Sequence, residues 1–94
     1  MENNSFVFDA VIVKDEKSFF ALCIDIDVGS EGDTISAAKE NLQEAVELYL
    51  EDSIESNLPI LRPTPPENNP VVTEPGKIVD KFLIKVRLDL NVYV

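Results

Sequence analysis

The amino-terminal part of the chain alternates with a period of two. Phe6, Phe8, Ala10 and Ile12 fall on one side of an extended backbone, and Val7, Asp9, Val11 and Val13 on the other. A β-branched and aromatic run of this kind predicts a strand from Ser5 to Lys14 in well-buried surroundings. The polar stretch Asp15-Glu16-Lys17-Ser18 closes a hairpin. A second strand follows from Phe19 to about Ile26, with Phe20, Leu22, Ile24 and Ile26 on one face and Phe19, Ala21, Cys23 and Asp25 on the other. The first of these faces reads as the core face. Gly29 and Gly32 then interrupt the pattern and leave room for a short third strand around Val28 to Glu31.

After Gly32-Asp33-Thr34 the period changes. Ile35, Ala38, Leu42, Ala45, Val46 and Tyr49 recur three, four and seven positions apart, the spacing of one helical face. Thr34 is the predicted N-cap, its hydroxyl accepting from a backbone N–H that the helix leaves unpaired. All six prolines fall between Leu58 and Gly76, which argues against a regular helix or central strand there. Connections longer than about 12–15 residues are uncommon in compact domains, so the 58–76 loop is expected to run in extended, polyproline-like stretches packed over the surface. From Phe82 the chain alternates again, with Phe82, Ile84, Val86, Leu88, Leu90, Val92 and Val94 on one side and Leu83, Lys85, Arg87, Asp89, Asn91 and Tyr93 on the other.

The predicted order is β-β-β-α-β over a single domain, residues 1–94, with a final strand at about 78–94. That is an α+β architecture, an antiparallel sheet with one amphipathic helix packed on one face. The final strand exceeds the usual five or six residues, so part of it is expected to pair with another copy of the chain, through Phe82, Ile84, Val86, Leu88 and Leu90.

Charge narrows the partners. The 94 residues hold 18 acidic side chains against 8 basic ones, a net charge of −10, with no histidine and one cysteine. Zinc sites built from Cys and His, Cys/His nucleophile pairs and Ser-His-Asp triads are thereby excluded, and so are intramolecular disulfides. The lone Cys23 and the absence of any apolar run of 18–20 residues point to a soluble, cytoplasmic chain. Residues 31–57 contain eight acids and only Lys39. A surface of this sign repels nucleic-acid backbones and suits a basic protein.

Four carboxylates, Asp25, Asp27, Glu31 and Asp33, lie close in sequence, and a hard cation could in principle be collected there. Their spacing does not match the 12-residue calcium loop, and they read as a solvated acidic turn. As a two-metal nuclease site they lack any general acid or base titrating near neutrality, so no catalytic residue, metal or cofactor is expected. Cys23 alternates with Ala21 as a small buried residue does. The face of the last strand that carries Lys81, Lys85 and Arg87 reads as solubilising, with RNA contact, aided by Tyr93, as the sharper alternative. Glu40, Glu44 and Glu47 on the helix, with Asp25, Asp27 and Glu31, are the candidate partner-binding residues.

The hairpin ending Phe19-Phe20-Ala21-Leu22-Cys23-Ile24-Asp25-Ile26, the turn Glu31-Gly32-Asp33-Thr34, the helix from Ile35 to Leu50 and the segment Leu58-Pro59-Ile60-Leu61-Arg62-Pro63 together resemble HicB-like antitoxins. The resemblance covers about residues 6 to 66. It departs from the family pattern at Ala37, where a capping Glu is usual, and at Ile24, which replaces the Pro of a Pro-Asp-Leu element. A strand follows the proline loop where many members carry a helix-turn-helix or ribbon-helix-helix, so binding of operator DNA is not expected. The resemblance implies a partial RNase H-like fold without the nuclease carboxylates, assembly into homodimers or tetramers, and a non-catalytic role. It implies that the chain masks a small basic RNA-cleaving toxin in a type II toxin–antitoxin pair. The competing expectation is a stand-alone oligomeric module of the same fold that binds another macromolecule, such as RNA, through its basic strand.

Overall fold

The computed structural model describes residues 4–88. Strands β1 (Asn4–Lys14), β2 (Phe19–Cys23) and β3 (Val28–Gly32) lead into helix α1 (Ile35–Glu55), and the chain ends its described course in strand β4 (Ile78–Leu88). The four strands form one antiparallel sheet in the order β3-β2-β1-β4. This is the expected α+β architecture. The part of the final strand expected beyond Leu88, Leu90 included, lies outside the described residues.

Helix α1 covers one sheet face. Phe8, Ala10 and Ile12 of β1, Ala21 and Cys23 of β2, and Ile84 and Val86 of β4 meet Ala38, Leu42, Val46 and Leu50 there. On β2 the core face is therefore Phe19, Ala21 and Cys23, the reverse of the expectation. Antiparallel partners share a face, and the register sets Ala21 opposite Ile12 and Cys23 opposite Ala10. Two small side chains on β2 let the helix settle close to the sheet. Ile26 still reaches the core, because β2 stops at Cys23 and the chain reverses through Ile24–Asp27, with Asp27 in the left-handed region at φ 55°.

Val11, Val13 and Leu22, on the sheet's other face, are also buried. The proline-rich segment runs over this face, with Val71 beside Val11, Ile24 and Leu83, and Glu74 and Lys77 beside Val13 and Phe20. The segment is not polyproline-like throughout. A 3₁₀ turn at Pro66–Asn68, the short helix α2 (Pro70–Thr73) and a second 3₁₀ turn at Pro75–Lys77 each open on a proline. At the first helical position the missing N–H leaves no bond unmade and the fixed φ favours the turn, so these prolines start helical turns.

The segment is anchored through the β2–β3 turn. Backbone bonds run from Arg62 N–H to the Asp25 carbonyl (3.1 Å) and from Thr64 N–H to the Ile24 carbonyl (2.9 Å). The Arg62 guanidinium donates to the carbonyls of Ile26 and Asp27 (3.3 Å each) and lies over the Tyr49 ring. Tyr49 in turn donates its hydroxyl to the Ile60 carbonyl at 2.7 Å. Sheet turn, helix and loop thus meet at one arginine.

Both ends of α1 are set locally. Thr34 Oγ1 accepts from Ala37 N–H at 3.0 Å, as its capping role requires. At the other end, bonds from Asn57 N–H to the Ile54 carbonyl and from Leu58 N–H to the Ser53 carbonyl surround Asn57 at φ 56°, the geometry of a Schellman stop. Gly32 lies so close under the helix start that a Cβ there would collide with the backbone of Ala37 and Ala38.

Two predictions follow from this packing. Gly32→Ala is expected to lower stability by about 1–3 kcal/mol, seen as a lower urea midpoint at unchanged slope. Arg62→Ala is expected to lower it by about 1 kcal/mol and to speed hydrogen exchange at the Thr64 amide, leaving amides in the middle of α1 slow.

Candidate protein-binding surface

Outside the core, α1 is an acidic ridge. Glu40, Glu44 and Asp52 are exposed, as is Leu48 between them, while Glu47 and Glu51 are half-buried along its flank. Positions four apart sit one above another on a helix, so Glu40 faces Glu44, and Glu47 faces Glu51, across single turns. Each such like-charge pair destabilises a helix by about 0.2–0.5 kcal/mol. The last turn carries acids and no base, which also opposes the helix dipole. The core burial of Leu42, Val46 and Leu50 holds the helix despite this repulsion, and the ridge remains available to a cation.

Basic groups near the helix are few and already occupied. Lys39 Nζ lies 2.7 Å from an Asp80 carboxylate oxygen on β4 and 4.8 Å from the centre of the Phe82 ring. The hydrogen bond from Lys39 holds the Asp80 carboxyl below its usual range. Gln43 donates to a Glu47 carboxylate oxygen at 3.1 Å and to the Lys85 carbonyl at 3.0 Å.

The acids gathered by sequence are not gathered in space. Asp25 Oδ2 accepts from Asp9 N–H at 2.9 Å, continuing the ladder where β2 ends, and Asp27 Oδ1 accepts from the buried Thr64 hydroxyl at 3.0 Å. Strand β3 separates this turn from Asp33 by six residues, roughly 20 Å of extended chain. Glu31 is exposed on β3, with its carbonyl taking a hydrogen bond from Asn41 of α1 at 2.7 Å. Among the described residues no three carboxylate, thiol or imidazole groups gather as a metal site would need. Gly32, Asp33 and Thr34 form the helix-capping turn, with Gly32 under the helix and Thr34 as its cap.

Of the strand residues expected to join two copies, three pack within this one, while the Leu88 side chain and Leu90 lie outside what the structure describes. Ile84 and Val86 are buried beneath α1 and Phe82 packs against the same core. The opposite side of β4 presents Lys81, Leu83, Lys85 and Arg87 to solvent, as the alternation indicates. Cys23 is buried in the core, where desolvation and then the Asp25 charge push its thiol up to about 12, so it stays protonated and unreactive. No helix among the described residues is long and apolar enough to cross a membrane.

Sequence reasoning located the acidic ridge and the basic face but missed the groups that hold them in place. Arg62 and Tyr49 act through backbone carbonyls 35 and 11 residues away, and Asn41 and Gln43 bond the carbonyls of the two edge strands. Residues two apart on a helix point roughly 200° apart, which lets one helix reach both edges of the sheet. An amide pair at i and i+2 flanking Leu42 was the available signal.

No protein-family profile matches the chain. No curated protein matches it either. Among solved structures, its fold is similar to that of a chain of the HicA3 and HicB3 toxin-antitoxin complex, at a TM-score of 0.58 and 24% sequence identity, over 89% of this chain and 99% of that one.

Proposed function

We propose that this chain is a non-catalytic, antitoxin-type binding protein of HicB kind, which masks a small basic RNA-cleaving toxin in a reducing cytoplasm. The observation that carries the reading is the exposed acidic ridge of α1 on a fold shared with a toxin-antitoxin complex chain. The ridge retains like charges at helical spacing that a cationic partner relieves on binding. Its carboxylates stand on a helix anchored at both ends, so they need little ordering when the partner arrives. Asp25 and Asp27 serve the chain's own turn, which leaves Glu40, Glu44, Glu47 and the neighbouring Glu31 as the contact set.

The test pairs recovery with inhibition. Tagged protein drawn from its native lysate at mild salt is expected to bring down a stoichiometric small basic protein that leaves as salt rises. That protein's RNA cleavage is expected to stop at equimolar addition of the chain. Replacing Glu40, Glu44 and Glu47 together by Lys is expected to weaken the complex at least about a hundredfold, since close charge pairs at interfaces contribute about 1.5–7 kcal/mol each. Recovery of RNA in place of a protein, lost in the Lys85→Glu variant, would overturn the reading in favour of a nucleic-acid-binding module.

A further inference from the structure

The first six residues of β1 and the last six of β4 run past the end of β2, which pairs only with Ala10–Lys14. They form a two-stranded arm, whose inner face carries Phe6, Phe8, Ile84 and Val86 toward α1. The outer face lies on the side of the sheet away from the helix. Its register sets Val11 opposite Lys81, Asp9 opposite Leu83 and Val7 opposite Lys85. Diagonal neighbours on an antiparallel pair stand roughly 7–8 Å apart, so Val11, Leu83 and Val7 make a zigzag apolar seam. Val7 and Leu83 are each 55% exposed. Where the seam meets the body of the protein, a cavity of about 350 Å³ opens between Val11, Ile24, Val71 and Leu83. Lys81, Lys85 and Arg87 line one side of the seam, and among the described residues none of the three is in an ion pair. Elsewhere bases are engaged by the chain itself: Lys39 by Asp80, Lys77 by Glu74, and Arg62 by the Ile26 and Asp27 carbonyls.

We propose that the outer arm face binds an acidic amphipathic helix of a partner protein, with one apolar side chain of that helix in the cavity and its carboxylates on Lys81, Lys85 and Arg87. The charge is one-sided, since all three bases stand on β4. The matching helix therefore carries its acids along one flank of an apolar stripe. Lys85 and Arg87 are separated by roughly 6.6 Å, close to the roughly 6 Å between residues four apart on a helix, so carboxylates at i and i+4 meet both. The seam from Val11 to Val7 spans roughly 13 Å, the rise of about nine helical residues. Burial of the stripe against Val7 and Leu83 removes apolar surface from water on both partners.

An added strand does not fit, because Gln43 of the same chain already occupies the Lys85 carbonyl on the edge of β4. RNA fits poorly as well. Single-stranded nucleic acid is held by bases stacked on aromatic rings, and Phe6, Phe8 and Phe82 all pack against the core, leaving aliphatic side chains on the outer face. Asp9 stands within that face, and the chain's net charge of −10 opposes a polyphosphate. Since α1 covers the opposite side of the sheet, a helix on the arm leaves Glu40 and Glu44 clear. The chain can then hold an acidic partner on the arm and a basic one on the ridge at the same time. The arm's reading stands whether or not a toxin occupies the ridge.

Amide chemical shifts of the full chain, titrated with a synthetic peptide at about 20 mM salt, test the proposal. The probe is a helix of about 14 residues, roughly 20 Å long, built from Ala with a Leu stripe and Glu along one flank. Saturable shifts are expected at Val7, Asp9, Leu83 and Lys85 below about 1 mM peptide, with Glu40 and Glu44 unmoved. Lys85→Glu with Arg87→Glu is expected to raise the dissociation constant at least about tenfold, and the exposed Leu83→Ser alone at least about fivefold, both with unchanged circular dichroism. Failure to saturate, equal binding of the same peptide with Lys in place of Glu, or full affinity in Leu83→Ser would each overturn it. So would tighter binding of an oligouridylate of about ten nucleotides, which would assign the face to RNA. Arm shifts that follow the chain's own concentration without peptide would assign it to a second copy and overturn the proposal equally.

Discussion

Strand β1 must be covered on both faces along its carboxy-terminal half, and most of the structure follows from that requirement. Ala10 and Ile12 point to the helix, while Val11 and Val13 point the other way, and all four are buried. A single amphipathic helix covers one side of a sheet only, and among the described residues there is no second long helix to lay on the other. The proline-rich segment supplies that second layer. Its prolines fix the backbone before folding, which lowers the entropy lost when the segment is laid down, and its short helical turns bury Pro70 and bring Val71 beside Val11 and Leu83.

Where the cover ends, the surface begins to serve other purposes. The segment reaches Val11 and Leu83 but not Val7, so the arm formed by β1 and β4 leaves the body with one face against the chain's own core and the other open. The charges are divided in the same way. Acids crowd the outside of α1 and bases line the open side of β4, and Lys39, bound to Asp80, is the ion pair that joins helix to strand among the described residues. A helix with repelling carboxylates, and an arm whose bases form no ion pair among the described residues, are both less stable alone than with the opposite charge beside them. This is the physical ground for reading both as interaction surfaces.

The elements were legible in the sequence where periodicity is strict. Phe6 to Val13, the helical spacing from Ile35 to Tyr49 and the alternation through Phe82, Ile84 and Val86 each have one solution, and Thr34 announces the helix start by its chemistry. Strand β2 was misread in its facing because it is apolar on both sides. Phe20 and Leu22 are larger than Ala21 and Cys23, and size suggested the core, yet the close approach of a helix favours the small pair. Helix α1 runs five residues past Leu50, where Glu51, Asp52 and Ser53 weaken the pattern and the stop falls on Asn57, a residue other than the glycine that usually marks one. The roles of Asp25, Asp27 and Arg62 depend on Thr64 and on carbonyls far along the chain, contacts that no local pattern encodes.

Thiol labelling of two single variants, Val7→Cys and Val11→Cys, tests the two-sided covering of β1 most directly. Both positions lie on the same strand and the same face, four residues apart, and the native Cys23 is buried and protonated. Val7 is 55% exposed and Val11 2%. The account predicts that Cys at position 7 reacts at the rate of an unfolded peptide and Cys at position 11 only as fast as the protein unfolds. Equal, rapid labelling of both would contradict it, since the proline-rich segment would then leave the second face of the sheet in water.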